Sequence, residues 1–481
     1  MKLHNLLRNV RTLKADFDTE ITAIATDSRK AEKGSAFFCM NGSESFAKEA
    51  VRNGAAAVIS EKDTGENCIV VENITAVLAK CCDNFSGNPT ERLKIIGITG
   101  TNGKTTVAHM VKHIFEFCGV SAGIIGTAGN FVGQKRLTDT DFTTPPPEQM
   151  YPLFAEMVQG NAAVCVMETS SQALSQGRCE GILFDTAVFT NLTREHLDYH
   201  GDMTAYAQAK AILFENSRRA VINLDDEYSI FFLKICRNPL TYSIKNESAD
   251  LFAKNIQQTK GSVSYMFVAG GKEFAVKMNV SGLFNVSNSL AAAGCAMLNG
   301  ISAEKCAEVL SSFHGVRGRG EVIISEPFRV LTDYAHTPDA LKNILTSVRE
   351  TTDGKVIALF GCGGDRDRTK RPLMAKTAAE NSDFVVITSD NPRTENPYAI
   401  IKEILTGLDG TDTPFAVIED RREAINFALS AAKKGDTVVL CGKGHEDYQI
   451  IGHEKIPFDE KQIVRDAFTH NPPSSEEWLP L

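Results

Sequence analysis

The stretch Lys94-Ile-Ile-Gly-Ile-Thr-Gly-Thr-Asn-Gly-Lys-Thr-Thr106 reads as an apolar strand that runs into a glycine-rich turn and then a helix. Gly100 and Gly103 let the backbone approach an anion closely, and the first amides of the helix direct unpaired N–H groups toward it. Lys104 adds a movable positive charge, and Thr105 offers a hydroxyl to the magnesium that accompanies a nucleotide. The strict phosphate-loop spacing calls for glycine where this chain has Ile98, so the bare pattern is imperfect. The flanks restore it. Val107, Met110, Val111, Ile114, Phe115 and Cys118 recur at helical spacing, and Gly119 supplies a stop.

A chain of 481 residues has room for roughly three domains of about 150 residues. The formal net charge of -9 and the lack of a long Lys/Arg run argue against wholesale nucleic-acid binding. None of the twelve cysteines sits in a Cys-x-x-Cys pair with zinc-type partners, and the first residues lack a signal-peptide apolar core. Reduced thiols and a cytoplasmic location are therefore expected. No apolar run reaches the roughly 18 residues of a membrane span.

The first ninety residues hold short apolar pieces, such as Ala36-Phe-Phe-Cys-Met40 and Ala55-Ala-Ala-Val-Ile-Ser60, broken by Gly34, Gly42 and Gly54. They predict a small α/β domain, with Ser86-Gly-Asn-Pro-Thr90 as the link out of it. Residues 163–167, 186–189 and 220–223 are compact apolar runs of the kind buried in parallel sheets. Residues 246–281 alternate and predict a small antiparallel insert. After Gly315-Val-Arg-Gly-Arg-Gly320, a candidate hinge, Val330 and residues 355–360, 384–388 and 437–441 again read as strands. The expected fold class is α/β in three domains: a small N-terminal α/β domain (1–90), a central parallel-sheet domain of the P-loop ATPase type (91–316) and a Rossmann-like C-terminal domain (317–481).

Ligands of open parallel sheets sit beyond the carboxyl ends of the strands, and the polar clusters fall there. Glu168 and His196 follow two of the central strands. Each alone is equally a dipole-stabilised carboxylate or a surface histidine, but their joint placement favours a magnesium shell begun by Thr105. Lys210, read alone, is a helix lysine with its head in water. In the last third, Arg366, Asp390, Arg393 and Glu446 lie where a small ligand would dock. Turn chemistry explains the neighbouring glycines but not two guanidinium groups and a carboxylate, which suit a zwitterion bearing more than one carboxylate.

Thr26-Asp-Ser-Arg29, Gly100-Thr-Asn-Gly-Lys-Thr-Thr106, Thr143-Thr144-Pro145, Glu168-Thr-Ser-Ser171, Asn191-Leu-Thr-Arg-Glu-His-Leu-Asp-Tyr-His-Gly201, Asn285-Val-Ser-Asn288, Asp333-Tyr-Ala-His-Thr-Pro338 and Gly442-Lys-Gly-His-Glu446 together resemble the Mur ligases, ATP-dependent amide-forming enzymes of peptidoglycan precursor synthesis. Asp390-Asn-Pro-Arg393 is similar to the motif of the member that adds meso-diaminopimelate to UDP-N-acetylmuramoyl-L-alanyl-D-glutamate. The resemblance implies that Gly100, Thr101, Asn102, Gly103, Lys104, Thr105 and Thr106 bind ATP phosphates. Asn285 and Asn288 would lie near adenine, and Arg319, Asp333 and His336 close to the nucleotide. It implies that Ser28 meets the uridine part of UDP-N-acetylmuramoyl-L-alanyl-D-glutamate, that Thr143, Thr144, Ser170, Gln176 and Arg178 hold its sugar and peptide, and that Arg366, Asp390, Asn391, Pro392, Arg393, Gly442 and Glu446 form the diaminopimelate pocket. It further implies that Lys210 is carbamylated by carbon dioxide and, with Thr105, Glu168 and His196, holds magnesium, two ions in all. Lys104, Glu168, His196 and Lys210 are then the catalytic set.

A monomer is expected. Phe142 and Gln172 depart from the family pattern beside the dipeptide contacts. The alternatives are a lysine-adding member, a folylpolyglutamate synthetase and a non-catalytic nucleotide-binding regulator. Folylpolyglutamate synthetase has no reason to carry both Thr143-Thr144 and Asp390 to Arg393. Retention of the catalytic set speaks against the regulator.

Overall fold

The computed structural model describes residues 1–14, 17–65, 67–138 and 142–470. Its described residues form three main sheets. In the first, Thr12–Lys14, Cys68–Val71, Ala57–Ser60, Ser35–Phe38 and Ala23–Ala25 lie in that order, parallel except where Thr12–Lys14 meets its neighbour.

The second sheet is eleven-stranded, and its order decides the site. The phosphate-loop strand Lys94–Thr99 lies between Thr186–Phe189 and Val164–Glu168, parallel to both. Pairs such as Phe189↔Thr99 and Glu168↔Ile98 end these strands together, so the three following loops open at one edge. Their apolar runs are buried on both faces, as parallel strands under helices must be. The antiparallel piece expected over 246–281 is present as Leu251–Gln258, Val263–Ala269 and Lys272–Met278. It extends the main sheet, because Leu251–Gln258 pairs parallel with Leu240–Ser243.

The third sheet runs Glu321–Ile324, Arg329–Asp333, Thr437–Cys441, Val356–Phe360, Phe384–Ile387, Phe415–Val417. The strand latest in sequence is thereby threaded between two earlier ones. Gly442 to Glu446 consequently emerge beside the loops after Asp333 and Phe360.

Close packing at one glycine positions the helix that carries Lys210. A Cβ at Gly97, in the phosphate-loop strand, would stand 2.5 Å from Leu213 Cδ1 and 2.9 Å from Phe184 Cδ1. Without that Cβ, helix Met203–Glu215 lies flat against the strand. Gly97→Ala should therefore destabilise the central domain by about 1–3 kcal/mol through overpacking. Adding Leu213→Ala should recover part of the loss, read by thermal unfolding of both variants.

Candidate active site

The phosphate loop leads into helix Lys104–Phe117. Its N-cap is Gly103 at φ 88, and no side chain caps it. Helices that begin after Ser170, Asp202 and Thr337 have those side chains bonded to their first turns. At Gly103 the leading N–H groups are left for an anion. A Cβ at Gly103 would stand 2.5 Å from Asn288 Oδ1, which brings the Asn285 and Asn288 helix, Leu283–Leu298, against the loop. Lys104 Nζ donates to Gly100 O at 3.0 Å and Thr101 O at 2.9 Å, and burial lowers its pKa. Thr101 and Asn102 are tied to the loop after Phe189: Thr101 N donates to Asn191 O and Asn102 N to Asn191 Oδ1, each at 2.8 Å. Thr106 is buried in the helix's first turn.

Glu168 is 1% exposed. Its Oε2 accepts from Thr105 Oγ1 at 2.9 Å and Thr127 Oγ1 at 3.2 Å, and its Oε1 from Thr127 N at 2.9 Å. His196 sits in the left-handed region at φ 56, its ring edge-on to Tyr206. Lys210 does not have its head in water: it is 1% exposed. Its Nζ donates to Gly100 O at 3.0 Å and lies 4.5 Å from the centre of the Tyr206 ring. Helical periodicity could not reveal this, because helix Met203–Glu215 is packed on more than one face. Burial, then the nearby charge of Lys104, pushes the Lys210 pKa well below its ordinary value. The Thr105 hydroxyl and the Glu168 carboxylate, bonded to each other, are oxygen donors of the kind magnesium accepts, and His196 and Lys210 both lie against the Tyr206 ring.

Next to Glu168, Thr143 Oγ1 lies 3.0 Å from Thr127 Oγ1, Thr144 Oγ1 donates to Glu168 O at 2.9 Å, and Ser170 N donates to Thr144 Oγ1 at 3.0 Å. Arg178 Nη1 donates to Thr144 O at 2.9 Å, and its guanidinium lies 4.6 Å from the centre of the Phe142 ring. Phe142 thus braces Arg178 by a cation–π contact. Gln176 Nε2 donates to the Tyr199 hydroxyl at 3.2 Å, while the Gln172 carbonyl accepts from Ser175 Oγ at 3.1 Å. Ser28, in the first sheet's domain, donates to Glu49 Oε2 at 2.7 Å and lies apart from this group in the hydrogen-bond pattern.

In the last sheet, Arg366 and Arg393 flank Gly363: a Cβ there would stand 2.9 Å from Arg393 Nη1 and 3.9 Å from Arg366 Cγ. Pro392 is buried. Arg393 Nη1 donates to Gly364 O at 2.8 Å, and Gly442 N to Asp333 O at 3.0 Å. Asp390, Asn391 and Glu446 are gathered around Lys443, whose side chain is fully buried. Burial and Asp390 raise the Glu446 pKa.

Three contacts join this region to the phosphate loop and to the loop that follows Phe189. Arg319 Nη2 donates to Thr105 Oγ1 at 3.0 Å, with its guanidinium 4.5 Å from the centre of the Tyr334 ring. Asn102 Nδ2 donates to Asp339 Oδ2 at 2.9 Å. Lys370 Nζ lies 3.2 Å from Glu195 Oε1. Asp333 accepts from Gly320 N and Ala335 N, both at 2.7 Å, and burial raises its pKa. His336 Nδ1–H donates to Tyr334 O at 2.9 Å, which fixes its tautomer.

Thr127, Glu195, Tyr206, Lys370 and Lys443 carry this geometry without any expected role of their own. Glu195 lies within Asn191 to Gly201 and Lys443 within Gly442 to Glu446. Thr127, Tyr206 and Lys370 had no local signal, since their partners are 41, 105 and 175 positions away.

Residues 98–296 match the Mur ligase middle domain and residues 318–444 the Mur ligase, glutamate ligase domain. The chain is 43% identical over 478 residues to UDP-N-acetylmuramoyl-L-alanyl-D-glutamate--2,6-diaminopimelate ligase 1 of Clostridium acetobutylicum, covering 96% of this chain and 98% of that one. It is 42% identical to the ligase of the same name from Caldanaerobacter subterraneus, covering 98% and 100%. A solved structure of a UDP-N-acetylmuramoyl-L-alanyl-D-glutamate--2,6-diaminopimelate ligase superposes with a TM-score of 0.70 at 34% identity, covering 98% of this chain and all of that one.

Burial, with nearby cations, pushes the pKa values of His196 and His336 down to about 3 and that of His445 to about 4. A folded pKa below the ordinary 6.5 means that the unfolded chain binds protons the folded one refuses. The stabilisation is therefore full above about pH 6.5 and falls away as pH drops toward the folded values. The thermal midpoint should decline between about pH 7 and about pH 5, and His336→Asn should make that decline shallower.

Proposed function

The chain belongs to the Mur ligase family, and we propose that it is the member that joins meso-2,6-diaminopimelate to the D-glutamyl side-chain carboxylate of UDP-N-acetylmuramoyl-L-alanyl-D-glutamate, with ATP converted to ADP and phosphate. The observation that carries this reading is the approach of the Arg366 and Arg393 sheet to the phosphate loop, through Arg319 on Thr105 and Lys370 beside Glu195. It fits a reaction in which an acid activated on one side meets an amine seated on the other.

A carboxylate and an amine do not condense unaided at neutral pH, so the acid first needs a leaving group. The D-glutamyl carboxylate oxygen attacks the γ-phosphorus of ATP, the bond to the β-phosphate oxygen breaks, and ADP departs from an acyl phosphate. The uncapped amides after Gly103 and the Lys104 ammonium hold the phosphates during transfer. Thr105, Glu168, His196 and carbamylated Lys210 would hold magnesium, two ions in all, which supply further neutralisation of the transferring charge. Thr143, Thr144, Ser170, Gln176 and Arg178 orient the dipeptide, while Ser28 meets the uridine end.

Diaminopimelate is held by its carboxylates on Arg366 and Arg393 and by the ammonium group of its non-reacting end on Asp390 and Glu446, the latter oriented by Asn391. Its free amine attacks the acyl carbon, phosphate leaves with the C–O bond pair, and the amine sheds a proton to give the amide. Closure of the last domain over the loop keeps water from the acyl phosphate.

Lysine lacks the distal carboxylate, and accepting it would leave a guanidinium without its partner. Sites of this kind reject the stripped analogue by roughly 10⁴-fold. When diaminopimelate and lysine are offered in parallel with the dipeptide nucleotide, product mass should show diaminopimelate incorporation. Arg393→Ala and Arg393→Lys should sharply weaken its use with ATP binding near normal. Incorporation of lysine alone would overturn the substrate assignment. For Lys210, isotopically labelled bicarbonate should give a carbamate resonance that Lys210→Ala abolishes; an unlabelled parent protein would remove the modification from the site.

A further inference from the structure

Lys443 stands among the diaminopimelate residues, yet the reaction described above gives it no task. Its side chain is fully buried. Its ammonium donates to Asn391 Oδ1 at 2.8 Å and to Glu446 Oε2 at 3.4 Å, and it is ion-paired with Asp390 Oδ1 at 3.0 Å without a hydrogen bond to that atom. A buried ammonium is costly and persists only where its geometry repays desolvation. Arg421 is already committed to Glu460 at 2.7 Å. Two carboxylates against one ammonium leave the cluster one negative charge in excess, which suits a cationic group of the substrate.

The lysine also sets directions. Asn391 Oδ1 accepts from Lys443 Nζ and from Ile450 N at 3.0 Å. With that oxygen held twice, the amide cannot flip, and its Nδ2 is turned to Glu446 Oε2 at 2.9 Å. Ile450 O in turn accepts from Arg393 N at 3.1 Å. One ammonium is thus linked to the acceptor side of the pocket and, through one strand, to the guanidinium side.

Resting on the functional reading above, we propose that Lys443 is a positioning residue for the amino-acid substrate: directly and through Asn391 it holds Glu446 in the orientation that receives the substrate's ammonium group and, through Ile450, aligns Arg393 with its carboxylate. It is not a catalytic residue, since it reaches the substrate only through these neighbours.

The test is steady-state kinetics of the full chain with each substrate varied in turn. Lys443→Met should raise the KM for diaminopimelate by about 10- to 100-fold while the KM values for ATP and the dipeptide nucleotide stay within about twofold. An unchanged diaminopimelate KM, or a rise shared by all three substrates, would overturn the proposal. Lys443→Met leaves two buried carboxylates without their cation, so it is paired with the charge-balanced Asp390→Asn/Lys443→Met, read against Asp390→Asn alone. A further rise of about tenfold in the double variant supports positioning through Asn391. Equality with the single variant would mean that the lysine only neutralises Asp390, and the proposal fails. If the parent enzyme takes lysine and not diaminopimelate, the functional reading fails separately, and the same comparison on the lysine KM decides the role of Lys443.

Discussion

A phosphate loop works only if its backbone is left uncovered, and that requirement governs what can surround Gly100 to Gly103. A side chain at either glycine would collide with neighbours: a Cβ at Gly100 would stand 1.9 Å from Thr190 Oγ1, and one at Gly103 2.5 Å from Asn288 Oδ1. The turn is held from outside instead. Asn191 receives the Thr101 and Asn102 amides, Thr190 Oγ1 donates to Asn102 O at 2.6 Å, and Asn288 packs on Gly103. The amides of the following helix stay free because their support comes through other atoms.

The same region concentrates positive charge. Lys104 and Arg319 meet around one loop, with Lys370 close by on Glu195. Glu195 Oε2 and Arg319 Nε are buried without hydrogen-bond partners among the described residues. A cationic cluster of this kind is expensive for the protein alone and is balanced by a polyphosphate. The burial that disfavours the Lys210 cation keeps that amine out of the cluster's charge.

The last sheet's loops are built on the opposite balance. Two carboxylates and an amide share one buried ammonium, and two guanidinium groups stand beside Gly363 close to the Asn391 carbonyl. Opposite charges held near one another on this wall of the domain suit a zwitterion. The contacts of Arg319, Asn102 and Lys370 bring that wall to the phosphate loop, so the two halves of the chemistry meet across a surface between domains.

Local pattern was enough for much of this. The strand, turn and helix around Lys94 to Phe117 are legible because glycine placement, a basic residue and helical periodicity are all short-range signals. Strand 186–189 was read to its ends, and 164–168 to within one residue, since buried parallel strands are plain apolar runs. What the chain alone could not disclose was strand order, and with it which loops share an edge. Lys210 shows the difference most clearly. Its own sequence describes an ordinary helix lysine, and only a glycine more than a hundred positions earlier, Gly97, lets its helix press onto the strand and carry the amine beneath the phosphate loop. Lys443, silent within a glycine-rich motif, acquires its partners only when the strand latest in the sheet's sequence inserts between earlier ones. Short-range chemistry is written in neighbouring residues. Burial and charge pairing depend on contacts between segments far apart in the chain, and those exist only once the sheets have formed.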